Sequence, residues 1–158
     1  MNPQAYPADP SDTLAVFRNF ASSVRRDRRL TGTDVRTLTL TSQLESRDSV
    51  TLDARFAQGR ISELGYRIRA CSLAQAVTGI LAARATELTA AVLENARQDL
   101  ERVLQSTPPD PSTLIWPELS VLHDAAGMPD RHAVLFLPFQ VLQQLFAAEE
   151  EQTPTAPD

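Results

Sequence analysis

Residues 49–82 read SVTLDARFAQGRISELGYRIRACSLAQAVTGILA, and the change of rhythm inside this stretch decides the fold. Up to Ala70 the period is two. Val50, Leu52, Ala54 and Phe56 alternate with Ser49, Thr51, Asp53 and Arg55, and a second alternation runs from Ile61 through Tyr66, Ile68 and Ala70. β-Branched and aromatic residues at this period predict strands. Ala57 to Gly59 separates the two runs and reads as a hairpin turn. After Cys71 the period lengthens. Leu73, Ala76, Val77, Ile80 and Leu81 recur at helical spacing, and Ala74, Gly79, Ala82 and Ala83 let that helix approach a neighbour closely.

Upstream, VRTLTLTSQ (residues 35–43) alternates Val35, Thr37 and Thr39 against Arg36, Leu38 and Leu40, which predicts a further strand. Before it, Ser11 or Asp12 caps a helix running to about Leu30, with Leu14, Phe17 and Phe20 as its apolar stripe. The run RRDRR (residues 25–29) reads as the solvated end of that helix, where Arg is favoured by the macrodipole. A binding patch is the alternative reading.

Downstream, a helix is expected from about Thr86 to Gln105, ended by STPPDP because proline cannot continue it. A short helix enters through Pro117, with Trp116 as a core anchor. A last helix begins with Pro138 near its first turn and buries Leu142, Leu145 and Phe146. A helix, a three-stranded meander and then more helices make an α+β fold, a three-stranded antiparallel sheet covered by helices. The expected organisation is a flexible N-terminus over residues 1–11, one domain over 12–148 and a disordered tail over 149–158.

The chain has 158 residues, 42% apolar and 22% charged, and a net charge of −5. That is ordinary globular composition, long enough to bury a core without staples. All 15 cations are Arg, which reads as coding bias. The negative charge argues against a nucleic-acid or anionic-membrane partner. A single cysteine excludes an internal disulfide and fits a reducing compartment. The first residues lack the apolar core of a signal peptide, and no apolar run is long enough to span a membrane. The expected location is the cytoplasm.

Three residues are candidates for chemistry. Cys71 stands where a strand gives way to a helix, and a thiol at a helix N-terminus meets free N–H groups that favour thiolate. The other reading of Cys71 is a small buried hydrophobe. His132 stands at a turn-to-helix boundary, where capping and surface roles are common. Asp48 lies just before the second strand. His123 is expected at an exposed position. No CxxC, HExxH, phosphate-binding Gly loop or GxSxG occurs, so no catalytic motif is present and no enzymatic turnover is expected.

From about Val35 to Phe146 the chain resembles the NifU/IscU-type iron–sulfur cluster assembly scaffolds, a SufE/NifU-like fold. The resemblance rests on LGYRIRACSLAQAVTGILA, a strand ending in Cys followed by a small-residue helix. SRDSVTLDARFAQGRISEL resembles the family's Cys-Gly-Asp segment and hairpin, and DRHAVLFLPFQVL resembles the His-Cys pair before the last helix. In that family three cysteines and an Asp or His hold a nascent [2Fe–2S] cluster or zinc. Carried over, the first Cys falls on Ser46, the Gly on Arg47 and the Asp on Asp48. The second Cys is Cys71, the His is His132, and the third Cys falls on Ala133.

The resemblance therefore implies a site of Cys71, Asp48 and His132 with one thiol of three. Clusters are held mainly by thiolates, whereas a mixed S, N and O set suits zinc or Fe(II). It also implies a cysteine desulfurase and cluster-accepting proteins as partners, and a monomer or weak homodimer. Two alternatives stand beside the scaffold. One is a site-less relative acting as a protein-binding module, with Arg47 filling the old site. The other is a persulfide carrier using Cys71, although the related sulfur acceptors carry their cysteine at the position of Ser46.

Overall fold

The structure is a computed structural model that describes residues 10–43 and 47–152. The elements follow in the order α1 (Pro10–Ser23), β1 (Val35–Thr41), β2 (Ser49–Ala57), β3 (Arg60–Arg69), α2 (Ser72–Ala83), α3 (Ala90–Val103) and α4 (His132–Gln152). Short 3-10 segments join the later helices. The three strands form one antiparallel sheet in the order β1-β2-β3, as the alternation predicts.

Strand β2 is central and its Val50, Leu52 and Ala54 are fully buried. The α4 helix covers this face of β1 and β2, and Phe56 meets Phe146 edge-on with ring centroids 5.1 Å apart. The hairpin closes on Gln58 and Gly59, with φ of 55° and 77°. Positive φ at both central residues marks a type I′ turn, whose twist matches the flanking strands. Beside the turn the ladder is bulged, since Arg55 pairs with Glu63 and Phe56 with Ile61, passing over Ser62.

The first helix stops at Ser23, not near Leu30. The RRDRR run is therefore not a helix end. It crosses the outer edge of β3, where Arg28 and Tyr66 exchange backbone hydrogen bonds of 3.0 and 2.6 Å. Arg29 and the backbone N–H of Leu30 then reach the carboxylate of Asp53. Fully buried Asp53 needs donors, and these long-range bonds outweigh continuation of the helix. Gly65 makes the crossing possible, because a Cβ there would sit 2.5 Å from the Arg28 carbonyl oxygen.

Two other boundaries move for similar reasons. The helix expected from Thr86 begins at Ala90, capped by the Thr89 hydroxyl, which accepts from Val92 N–H at 3.1 Å. Just before it, the Leu88 carbonyl accepts from Ile61 N–H, which pins the chain to β3 in a non-helical conformation. The last helix begins at His132, six residues before Pro138, which lies inside it. Proline there removes one i→i−4 hydrogen bond, and the burial of Val134, Leu135, Leu137 and Phe139 outweighs that loss. Trp116 is the expected core anchor, 1% exposed.

Helix α4 continues through Gln152, beyond the boundary expected at residue 148. Arg36 holds this end, with Nε 2.6 Å from Glu149 and Nη2 2.8 Å from Gln152. At the other end, the flexible N-terminus expected over residues 1–11 gives way to α1 already at Pro10, and residues 1–9 and 153–158, with Ser46, lie outside the described residues.

Candidate functional site

Cys71 directly precedes α2 and occupies its N-cap position in an extended conformation. Its carbonyl accepts from Gln75 N–H at 3.1 Å, while its side chain makes no capping bond. The residue is half-buried. It lines a cavity of about 340 Å³ with Leu14 and Phe17 of α1, Leu73, Val121 and Met128, and with Asp124 and Arg131 as charged neighbours. Leu14 and Met128 are 45% and 49% exposed, so the cavity opens onto an apolar surface. Leu14 thus leaves the core stripe expected of it. Nothing local in the sequence signals this, because the opposite wall comes from the 3-10 segment Pro117–Gly127.

Asp48 is buried at 7% exposure. Its backbone carbonyl accepts from Ser42 N–H at 2.6 Å. Its Oδ2 has no hydrogen-bond partner among the described residues. A buried carboxylate oxygen without a donor is costly and marks a place where a cation or donor would be stabilised. The preceding residue, Arg47, is exposed and has φ of 51°. That left-handed conformation favours glycine and strains other residues.

His132 is the first residue of α4 and is half-buried. Its Nε2 lies 2.9 Å from the carbonyl oxygen of Ala125. A carbonyl only accepts, so Nε2 is the donor in this bond and Nδ1 is the ring nitrogen left for a ligand. His123 is not the exposed residue expected. It is half-buried, and its Nδ1 donates to the Val103 carbonyl at 2.8 Å, tying the 3-10 segment to the end of α3.

These residues gather at one end of the molecule. Ser49 pairs with Arg69, so Asp48 and Cys71 flank the same end of the β2–β3 ladder. Ala125, which anchors His132, lines the Cys71 cavity. Ala133 shares a separate cavity with Leu40, Thr41 and Ser42, and Ser42 is bonded to Asp48. The gathering stops short of a closed ligand set. Among the described residues, no group of three or more His, Cys, Asp or Glu side chains is placed to hold a metal ion.

No family model matches the chain, and no curated protein matches it. Solved structures do. A NifU-like protein (N-terminal) from Brucella abortus is 22% identical with a TM-score of 0.73, covering 92% of this chain and 100% of its own. This chain has the NifU-like fold. A hypothetical protein, 17% identical, matches with a TM-score of 0.70 over 88% of this chain and 99% of its own. A protein of Fervidobacterium islandicum AW-1, described as an iron–sulfur cluster assembly scaffold for the SUF system, is 18% identical. It has a TM-score of 0.62 and covers 81% of this chain and 91% of its own.

The NifU-like fold accounts for the meander and the position of α4. Two contributors to the site were not foreseen: the left-handed backbone of Arg47 and the apolar wall that α1 adds beside Cys71. No helix among the described residues is long and apolar enough to cross a membrane.

Proposed function

We propose that the chain is a scaffold-like protein of iron–sulfur cluster assembly, with iron, a [2Fe–2S] cluster or zinc as its cargo. The cargo site is the end of the fold that carries Cys71, Asp48 and His132. The observation that carries this reading is the buried, unpartnered Oδ2 of Asp48 at that end. Arg47 supports the alignment behind it. By resemblance that position is glycine in the scaffolds, and here the backbone adopts the conformation glycine favours. The thiolate of Cys71, the Asp48 carboxylate and Nδ1 of His132 supply one S, one O and one N donor. Such a set fits zinc or Fe(II), with further positions filled by water or a partner, better than it fits a cluster held by one chain. On this reading the protein performs no catalytic turnover. It works in the cytoplasm with a cysteine desulfurase and a cluster-accepting protein.

A second reading draws on the apolar cavity beside Cys71, with Leu14 and Met128 exposed at it. On that reading the chain is a protein-binding module of the same fold. A persulfide carrier using Cys71 is a further alternative, separate from the metal-binding scaffold.

The test is anaerobic reconstitution with iron and sulfide, a parallel zinc titration, and Cys71→Ala as the control. A visible charge-transfer band or stoichiometric zinc, lost in the variant, supports the scaffold. A one-sulfur mass gain on Cys71 after incubation with a desulfurase and cysteine, without metal binding, selects the carrier. No metal and no sulfur gain leaves the binding module.

A further inference from the structure

The outer face of the sheet, opposite α4, is ordered in rows by the strand register. Thr37, Asp53 and Gly65 form one row, Thr39, Thr51 and Arg67 the next, and Thr41, Ser49 and Arg69 the third. Above them runs the segment after α1, which brings in Arg29. The result is a tray of about 350 Å³ whose lining is made only of Arg, Thr and Ser side chains. Arg29, Arg67 and Arg69 supply its charge, and Thr39, Thr51 and Ser49 supply hydroxyls. A tray of this volume lies in the range of small-ligand sites.

The nearby carboxylates are already engaged. Asp53 is fully buried and accepts from Arg29 Nε at 2.8 Å, Arg29 Nη2 at 3.1 Å, Thr37 Oγ1 at 2.6 Å and Leu30 N–H at 3.0 Å. Asp27 accepts from both terminal nitrogens of Arg69, each at 2.9 Å. Arg67 has only a longer contact of 3.7 Å with this same Asp27. Two of the three guanidinium groups thus hold the two carboxylates, and Arg67 has no carboxylate of its own. Arg67 and the Nη1 of Arg29 make no hydrogen bond among the described residues. On a chain of net charge −5, this tray is a local concentration of positive charge and of unfilled donors.

We propose that this tray binds a phosphate group, either inorganic phosphate or the head of a phosphomonoester. A guanidinium presents a planar fork of N–H donors that matches phosphate oxygens, and hydroxyls add rotatable donors. Arg67 is the principal ligand. Arg29 and Arg69 are held in place by Asp53 and Asp27, which orients them before the anion arrives. The site lies on the outer face of the sheet and shares no lining residue with the cavity at Cys71.

The experiment is isothermal titration calorimetry of the full chain with inorganic phosphate and, separately, with glycerol phosphate, at constant ionic strength set by chloride. Arg67 is half exposed and makes no hydrogen bond, so Arg67→Gln leaves the fold intact, which far-UV circular dichroism checks. Arg60→Gln, an exposed arginine at the hairpin, makes the same charge change elsewhere. The expected result is saturable one-site binding, weakened about tenfold or more by Arg67→Gln, as loss of a charge-assisted contact requires. Arg60→Gln leaves it unchanged. Tighter binding of glycerol phosphate assigns the site to a phosphomonoester, and tighter or equal binding of phosphate assigns it to the free anion. The proposal is overturned if neither anion saturates, or if the two substitutions weaken binding equally.

Discussion

Asp53 and Arg29 are joined by two hydrogen bonds, 2.8 and 3.1 Å long, between a fully buried carboxylate and a guanidinium that is 41% exposed. This pair turns the chain after α1 out of its helix and across β3. Burial pushes the Asp53 carboxyl up. Hydrogen bonds from Arg29, Thr37 and Leu30 N–H, with the charge of Arg29, outweigh burial and hold it below its usual range.

Because the folded-state value is depressed, the stability this group contributes is present above the unfolded value of about 3.8. It is lost as pH falls through the folded value. Asp53→Asn is expected to cost about 1–3 kcal/mol at neutral pH, by weakening donors that were satisfied. Urea midpoints for the parent and the variant should converge as pH falls below 4. A constant gap down to pH 3 would show that the carboxylate charge contributes nothing.

Gly79 lies against α1, where an added Cβ would fall 2.1 Å from the Phe20 carbonyl oxygen and 2.7 Å from its carbon. Both are backbone atoms, so side-chain adjustment cannot relieve the clash. Gly79→Ala should destabilise by about 1–3 kcal/mol or more, the range for overpacking. It should also loosen the α1 wall beside Cys71, so alkylation of the thiol should accelerate in the folded protein. Thermal melts and iodoacetamide kinetics read the two effects separately. An unchanged melting temperature would contradict this packing.

Asp48→Asn separates a ligand from a structural carboxylate. If the unpartnered Oδ2 serves a metal, zinc affinity should fall about tenfold or more while stability holds within about 1 kcal/mol, since no hydrogen bond to that oxygen is lost. Zinc titration with a chelator competitor and urea denaturation give the two numbers. A large stability loss with unaltered zinc binding would assign Asp48 to the fold alone.

Gln58 occupies the first central position of the type I′ turn, with φ of 55° before Gly59. Asn tolerates this region far better than Gln. Gln58→Asn should raise stability by about 0.5–1 kcal/mol, a fraction of the left-handed penalty. The urea midpoint should rise with an unchanged slope. A lower midpoint would show that the Gln58 side chain makes a contribution of its own.

The strands were legible because the face a strand residue takes is a local property of period two. Val50, Leu52 and Ala54 take one face and Thr51 and Asp53 the other, as the alternation in residues 49–56 requires, although the crossing of residues 28–30 buries Asp53 on the outer face as well. The helix after Cys71 was legible for the same reason at period 3.6. Helix ends were less so. Ser23, Ala90 and His132 became boundaries because distant groups competed for the adjoining backbone or packed upon it: Tyr66 and Asp53 for the first, Ile61 for the second, and the sheet face for the third.

The site divides along the same line. By itself the sequence determined the three-stranded meander, the α+β class and the placement of Cys71 at the head of a small-residue helix, since each depends on neighbours in the chain. Only the tertiary structure decided that Asp48 would be buried with an oxygen unpartnered, that His132 would spend Nε2 on Ala125, and that α1 would wall the thiol cavity. The tray of arginines and hydroxyls on the outer face also had to wait for the fold. Its rows depend on strand register and on the crossing of residues 28–30, which join segments far apart in the chain. Periodicity reports which face a residue takes. It carries no information on which distant side chain will meet it there.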